Sequence, residues 1–206
     1  MTPSSQPDFR QDLAEIRTMM ERSSKFKPLV GLSGVLSGCY ALAGSAGVWW
    51  GLGFRPVSVV NPQIPDLVVA GTVIVAILVL LAALITSVWM SWHHARRIGT
   101  SLNSPPARRM IGQGLTPLVT GGVILLILLS EGLTGWMAPV SMIFYGLAMV
   151  SASPFTLEES RWLGLVQIVL GLAGLVFPLF GILLWALGFG VVHIGFGWIM
   201  SVRYNQ

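Results

Sequence analysis

Residues 67–92 contain no charged side chain, and the same is true of 28–54, 115–130, 133–150 and 183–202. The stretch 157–177 joins them once its first few residues are passed. A hydrocarbon layer about 30 Å thick is crossed by about 20 residues of α-helix. Backbone groups within that layer must find partners inside the protein, which leaves helices or closed barrels. None of the six runs shows the strict alternation of a barrel strand. The expected fold class is therefore all-α: a polytopic membrane bundle of six transmembrane helices, arranged as three hairpins.

Composition says the same by elimination. Charged residues make up 10% of the 206 residues and hydrophobic ones 54%, against about 25% charged in soluble domains. Too little charge is present to cover a water-facing surface, which excludes soluble enzymes, disordered chains and disulfide scaffolds. The single Cys39 lies in an apolar run and is expected to be a small buried residue, with no metal-ligand spacing around it.

Orientation follows from the basic residues. Arg10, Arg17, Arg22, Lys25, Lys27, Arg96, Arg97, Arg108, Arg109, Arg161 and Arg203 all fall at one set of span ends, and Arg55 alone at the other. The positive-inside rule puts that richer side, and both termini, in the cytoplasm. Trp residues agree, since Trp49, Trp50, Trp136 and Trp185 fall near outer ends and Trp89, Trp92, Trp162 and Trp198 near inner ends.

Most polar material is thus cytoplasmic. In 1–27, Asp8 and Gln11 have capping-box spacing, and Phe9, Leu13, Ile16 and Met20 recur at helical intervals. An amphipathic helix is expected there, lying on the bilayer or docking a cytoplasmic partner or a second copy of the chain. The segment containing Arg96, Arg97, Arg108 and Arg109 is expected to be a basic loop attracting anionic lipid headgroups. Together with Arg17 and Arg22 it forms the candidate lipid or partner surface. No Gly-rich phosphate cradle accompanies it, and no nucleic-acid partner is inferred. Thr156 and Glu159 again have capping-box spacing, predicting the start of the fifth helix. Their acidic neighbours are expected to meet the basic loop or the N-terminal helix. The tail 203–206 returns to the cytoplasm.

Ionisable and polar groups inside spans are functional candidates. His193 and Gln167 lie near the middle of the sixth and fifth spans, and counting from the turn near Leu179 brings them to similar depth. A hydrogen bond between them is geometrically allowed. Tyr145 lies toward the inner end of the fourth span. These three form the candidate intramembrane polar site, read either as interhelical glue or as a ligand, proton or gating site. Small residues step at helical intervals through Gly31, Gly34, Gly38, Ala41 and Ser45, through Gly164, Gln167, Gly171 and Gly174, and around His193 at Gly188, Gly190, Gly195 and Gly197. Such stripes let helices approach closely, within one bundle or between protomers.

Three segments also carry a resemblance: Ile16-Arg17-Thr18-Met19-Met20-Glu21-Arg22-Ser23-Ser24 running into Gly31-Leu32-Ser33-Gly34, then Phe144-Tyr145-Gly146-Leu147-Ala148, and Gly188-Phe189-Gly190-Val191-Val192-His193-Ile194. With these the chain resembles, over nearly its whole length, a family of uncharacterised bacterial six-helix integral membrane proteins. The resemblance implies the bacterial inner membrane and, from neighbouring winged-helix regulators, a signalling or tethering role. Relatives tend to have Tyr at the position of Phe196 and often an acid at that of Gln167, departures that argue against a membrane-embedded acid–base pair here.

The sequence contains no nucleophile–base pair, metal cluster or paired intramembrane carboxylates. The expectation is a non-enzymatic membrane protein without cofactor or metal, sensing or docking a partner through its cytoplasmic face. The alternative is a small transporter or channel with a polar path at His193, Gln167 and Tyr145.

Overall fold

The computed structural model describes residues 30–53, 66–97 and 104–204. Among these residues the structure is helical apart from short turns, with no strand. Helix α1 spans Val30–Ala46 and passes into a π-helical turn at Gly47–Gly51. It is followed by α2, Asp66–Arg97, and α3, Pro105–Ser130. Next come α4, Met137–Ala152, flanked by 3-10 turns at Thr134–Trp136 and Ser153–Phe155, and α5, Glu159–Val176. The last helix, α6, is compound: α-helical over Gly181–Trp185, π-helical over Ala186–Val192, and α-helical again over His193–Tyr204. With their short flanking turns, all six are long and apolar enough to cross a membrane.

Several boundaries differ from the apolar runs. Helix α2 continues past Trp92 to Arg97, and α3 begins at Pro105, ten residues before its apolar run. Arg96 and Arg97 therefore form the last turn of one helix and Arg108 and Arg109 the first turns of the next, in place of one basic loop. The reason is that hydropathy marks the hydrocarbon, while Arg is a good helix former and Pro105 suits a first helical position. The fifth helix also starts differently: Glu158 is its N-cap and no side-chain cap bond forms, so the Thr156–Glu159 box is not made. Thr156 is instead buried.

The junction of α3 and α4 is closed by Gly132. Its φ of +70° is a left-handed conformation favoured by a residue without Cβ. Leu133 N–H donates to the Leu128 carbonyl at 2.8 Å, and Gly132 N–H to Leu129 at 3.2 Å. This is the Schellman pattern that satisfies terminal carbonyls.

The helices form two neighbouring groups. In one, α1 lies between α2 and α6; in the other, α4 lies between α3 and α5. Glycines set both seams. A Cβ added at Gly31 would lie 2.7 Å from the Ser201 Cα, one at Gly34 would lie 3.2 Å from the Gly197 Cα, and one at Gly38 would lie 2.7 Å from the Gly190 carbonyl oxygen. Gly146 and Gly164 face each other so closely that a Cβ on either would meet the other's carbonyl oxygen at 2.5 or 2.6 Å. Gly171 and Gly174 pack on Pro139 in the same seam. These stripes join helices of a single chain. Gly195 is the exception in the α6 set, with nothing near its missing Cβ.

Cys39 departs from expectation: it is exposed. Neighbours on a helix diverge by about 100°, so with Gly38 turned toward α6, Cys39 points away from that seam. Helix α2 leans chiefly on α1, through Gly44 against Val79, Leu52 against Gly71, and the Tyr40 and Thr86 hydroxyls at 3.3 Å. The most apolar part of α2 buries none of its residues within the chain.

Candidate functional site

The two helix groups meet around His193, and three helices supply the polar side chains. Tyr145 stands on α4 beside Gly146, Gln167 on α5 between Gly164 and Gly171, and His193 at the point where α6 leaves its π-helical segment. The glycines bring α4 and α5 close enough for Gln167 to reach the sixth helix. Gln167 is 0% exposed and His193 6%.

The Tyr145 hydroxyl lies 2.8 Å from His193 Nε2. Nδ1 of the same ring lies 2.9 Å from the Gly188 carbonyl oxygen and 3.3 Å from Gln167 Nε2. These contacts fix the proton pattern. A carbonyl only accepts, so Nδ1 bears the hydrogen and donates it to Gly188. Nε2 is then the acceptor, and the Tyr145 O–H donates to it. Gln167 Nε2 also bears hydrogens and so faces a second donor, while its Oε1, fully buried, has no partner. A half-turn of the amide, which exchanges two groups of nearly equal shape, presents Oε1 to Nδ1–H and makes a three-centre bond with Gly188.

The π-helical turn makes the Gly188 contact natural. It directs carbonyls toward the residue five places on, and Gly188 and His193 are five apart. A Cβ at 188 would lie 2.5 Å from Gln167 Oε1 and 2.6 Å from Met142 Cε, so a side chain there would push both of those tips aside. An aromatic column completes the enclosure. Trp185 and Phe189 have ring centroids 5.0 Å apart, Phe189 and His193 5.6 Å with near-parallel planes, and Tyr145 meets Phe189 edge-on at 5.0 Å.

Chemically this is a closed knot. A proton path from Tyr145 through the imidazole ends on a backbone carbonyl, which cannot pass a proton onward. The two cavities described in the structure lie elsewhere. One, of about 370 Å³, is lined by Val69, Ala70, Val73, Ile74 and Leu129, and the other, of about 290 Å³, by Ser153, Pro154, Glu158, Arg161 and Trp162. Among the described residues no three His, Cys, Asp or Glu side chains gather as metal ligands would.

The remaining candidates gather at one end of the bundle. Arg96 lies over the Trp92 ring, 3.8 Å from its centroid, a cation–π contact within one helix. Arg97, Arg108 and Arg109 are exposed. Glu159 pairs with Arg203 at 3.0 Å, tying the start of α5 to the end of α6, a partner in the last helix that was not among those expected for it. Arg17, Arg22 and the amphipathic segment lie outside the described residues.

The sequence reading missed Gly188 as an acceptor, Met142 as a wall, and Trp185 and Phe189 as ring neighbours. The only signal was the pair Gly188 and Gly190 just before an intramembrane histidine. Comparison with protein-family models, curated proteins and solved structures finds no match to this chain.

Proposed function

We propose that this chain is a multi-pass protein of the bacterial inner membrane, its six helices inserted as three hairpins with 1–27 and 203–206 on the cytoplasmic side. It acts without catalysis, as a sensing or partner-docking protein whose working surface is cytoplasmic. The observation that supports this reading most is the segregation of charge. Arg96, Arg97, Arg108, Arg109, Glu158, Glu159, Arg161 and Arg203 lie at one end of the antiparallel helices, with only Asp66 and Glu131 among described charged residues at the other. The positive-inside rule reads that end as cytoplasmic. The knot at His193 favours a structural coupling between helix groups over a polar transport path, since its members bond to one another and two of them are buried.

Photo-crosslinking in intact cells tests this. Probes at Arg97 and Arg109 should give discrete protein adducts that are lost when 1–22 is deleted, and a probe at Glu131 should give none. Adducts confined to Glu131, or adducts at Arg97 and Arg109 indifferent to the deletion, would overturn it.

A further inference from the structure

One face of α2 changes character along its length. At about 100° per residue, Leu78, Leu81 and Ile85 share an arc of about 120° with the residues that follow them toward the basic end. Trp89 and Trp92 come next on that face, then His93 and Arg96. All are exposed. The face thus runs from aliphatic, through the ring type that favours the membrane–water boundary, to basic.

The basic end of this face is held in place by its own rings. Arg96 lies 3.8 Å from the centroid of the Trp92 ring. The His93 ring is near-parallel to that of Trp89, 15° between planes and 6.0 Å between centroids. Both pairs have the i, i+4 spacing that brings side chains on a helix together. A guanidinium or imidazole lying on an indole keeps its N–H edge available, because those bonds lie in its own plane. The sequence places no Asp or Glu from 67 to 130, nor from 30 to 53, the segment on which α2 chiefly leans. Arg97, in the same last turn, offsets the partial negative charge of the final carbonyls.

We infer that this face of α2 binds one anionic phospholipid of the cytoplasmic leaflet. Its phosphate accepts charge-assisted hydrogen bonds from Arg96 and a further bond from His93. The indole N–H groups of Trp89 and Trp92 donate to the ester carbonyls, and the aliphatic stripe seats an acyl chain. A headgroup that adds an ammonium is disfavoured, since Arg96 and Arg97 repel that second charge. The inference rests on the reading of the chain as a membrane protein with its basic end cytoplasmic, and it narrows that basic surface to one helix face.

The test uses the full chain purified in detergent and stripped of lipid. Phosphatidylglycerol, phosphatidylethanolamine and phosphatidylcholine of matched acyl chains are titrated separately, with binding read by native mass spectrometry. Phosphatidylglycerol should bind about fivefold more tightly than either other lipid, in keeping with one uncompensated charge beside a basic residue. Arg96→Gln should reduce it to the phosphatidylcholine level. Trp92→Leu, which keeps the charge and removes the ring beneath it, should at least halve the preference. Arg161→Gln, which removes the same charge from the same end of the bundle, should leave the preference intact. Inorganic phosphate in excess should displace no lipid, because it lacks the chains that the stripe seats. Equal binding of the three lipids, equal losses from Arg96→Gln and Arg161→Gln, a preference untouched by Trp92→Leu, or displacement by phosphate would overturn the site. Retention of the protein in carbonate-washed membranes is scored separately. Loss there defeats the membrane reading, whereas retention without lipid preference defeats this inference alone.

Discussion

The Tyr145 hydroxyl donates a hydrogen bond to His193 Nε2 across 2.8 Å, linking the fourth helix to the sixth. It meets α6 where the π-helical turn ends. Its loss should be felt well beyond one contact.

Tyr145→Phe removes the donor and leaves Nε2 buried without a partner. The expected destabilisation is about 1 kcal/mol, between the mean of intramembrane hydrogen bonds and the cost of an orphaned buried acceptor. Unfolding of the detergent-solubilised protein in increasing SDS measures it. A double-mutant cycle with His193→Leu should show coupling of at least about 0.5 kcal/mol, and additive effects would show that the pair does not interact.

Gln167 behaves oppositely. One of its two amide polar atoms has no partner, so Gln167→Met, of similar length and without polar atoms, should cost less than about 0.5 kcal/mol or add stability. The same SDS unfolding assay decides. A loss as large as that of Tyr145→Phe would mean the amide makes a bond stronger than the three-centre contact described.

The seam between α4 and α5 leaves no room for a side chain at Gly146 or Gly164. Gly146→Val should separate the helices, moving Gln167 away from His193 and costing several kcal/mol by the overpacking rule of about 1–3 kcal/mol plus lost contacts. Reduced folded yield and rapid proteolysis in micelles are the expected signs, and wild-type protease resistance would contradict the seam.

Gly195 supplies the contrast. It lies in the same glycine-rich segment, but nothing approaches its missing Cβ. Gly195→Ala should therefore be neutral or stabilising by up to about 1 kcal/mol, through helix propensity alone. A marked loss of stability would place an unseen neighbour there, such as a second copy of the chain.

Sequence arithmetic reached part of the site. Counting residues from the turn near Leu179 puts Gln167 and His193 level, because rise per residue is fixed, and their side chains do meet at 3.3 Å. Tyr145 was legible as a polar residue in a span, but its partner was not, since that depends on how α4 is rotated against α6. The π-helical turn was invisible to a period of 3.6, as was the capture of Gly188 by the imidazole. Glycine spacing identified close approach without saying which helix approaches. The structure pairs the first stripe with the sixth helix, leaving Cys39 on the outside. Charge ends an apolar run and so suggests a loop at the basic segment, while nothing in those arginines ends a helix.

The helices differ greatly in length. Helix α2 has 32 residues and α5 has 18, or about 48 Å and about 27 Å at 1.5 Å per residue. No bilayer of a single thickness matches both, when its hydrocarbon core is about 30 Å. Placed in a bilayer, the longer rod would tilt or project, and the shorter one would draw the lipid surface toward it. Because α2 rests chiefly on α1, its inclination can change with little disturbance to the knot at His193. Thickening the membrane would stand α2 more upright and strain the lipid around α5, so the two halves of the molecule answer the same change in opposite ways.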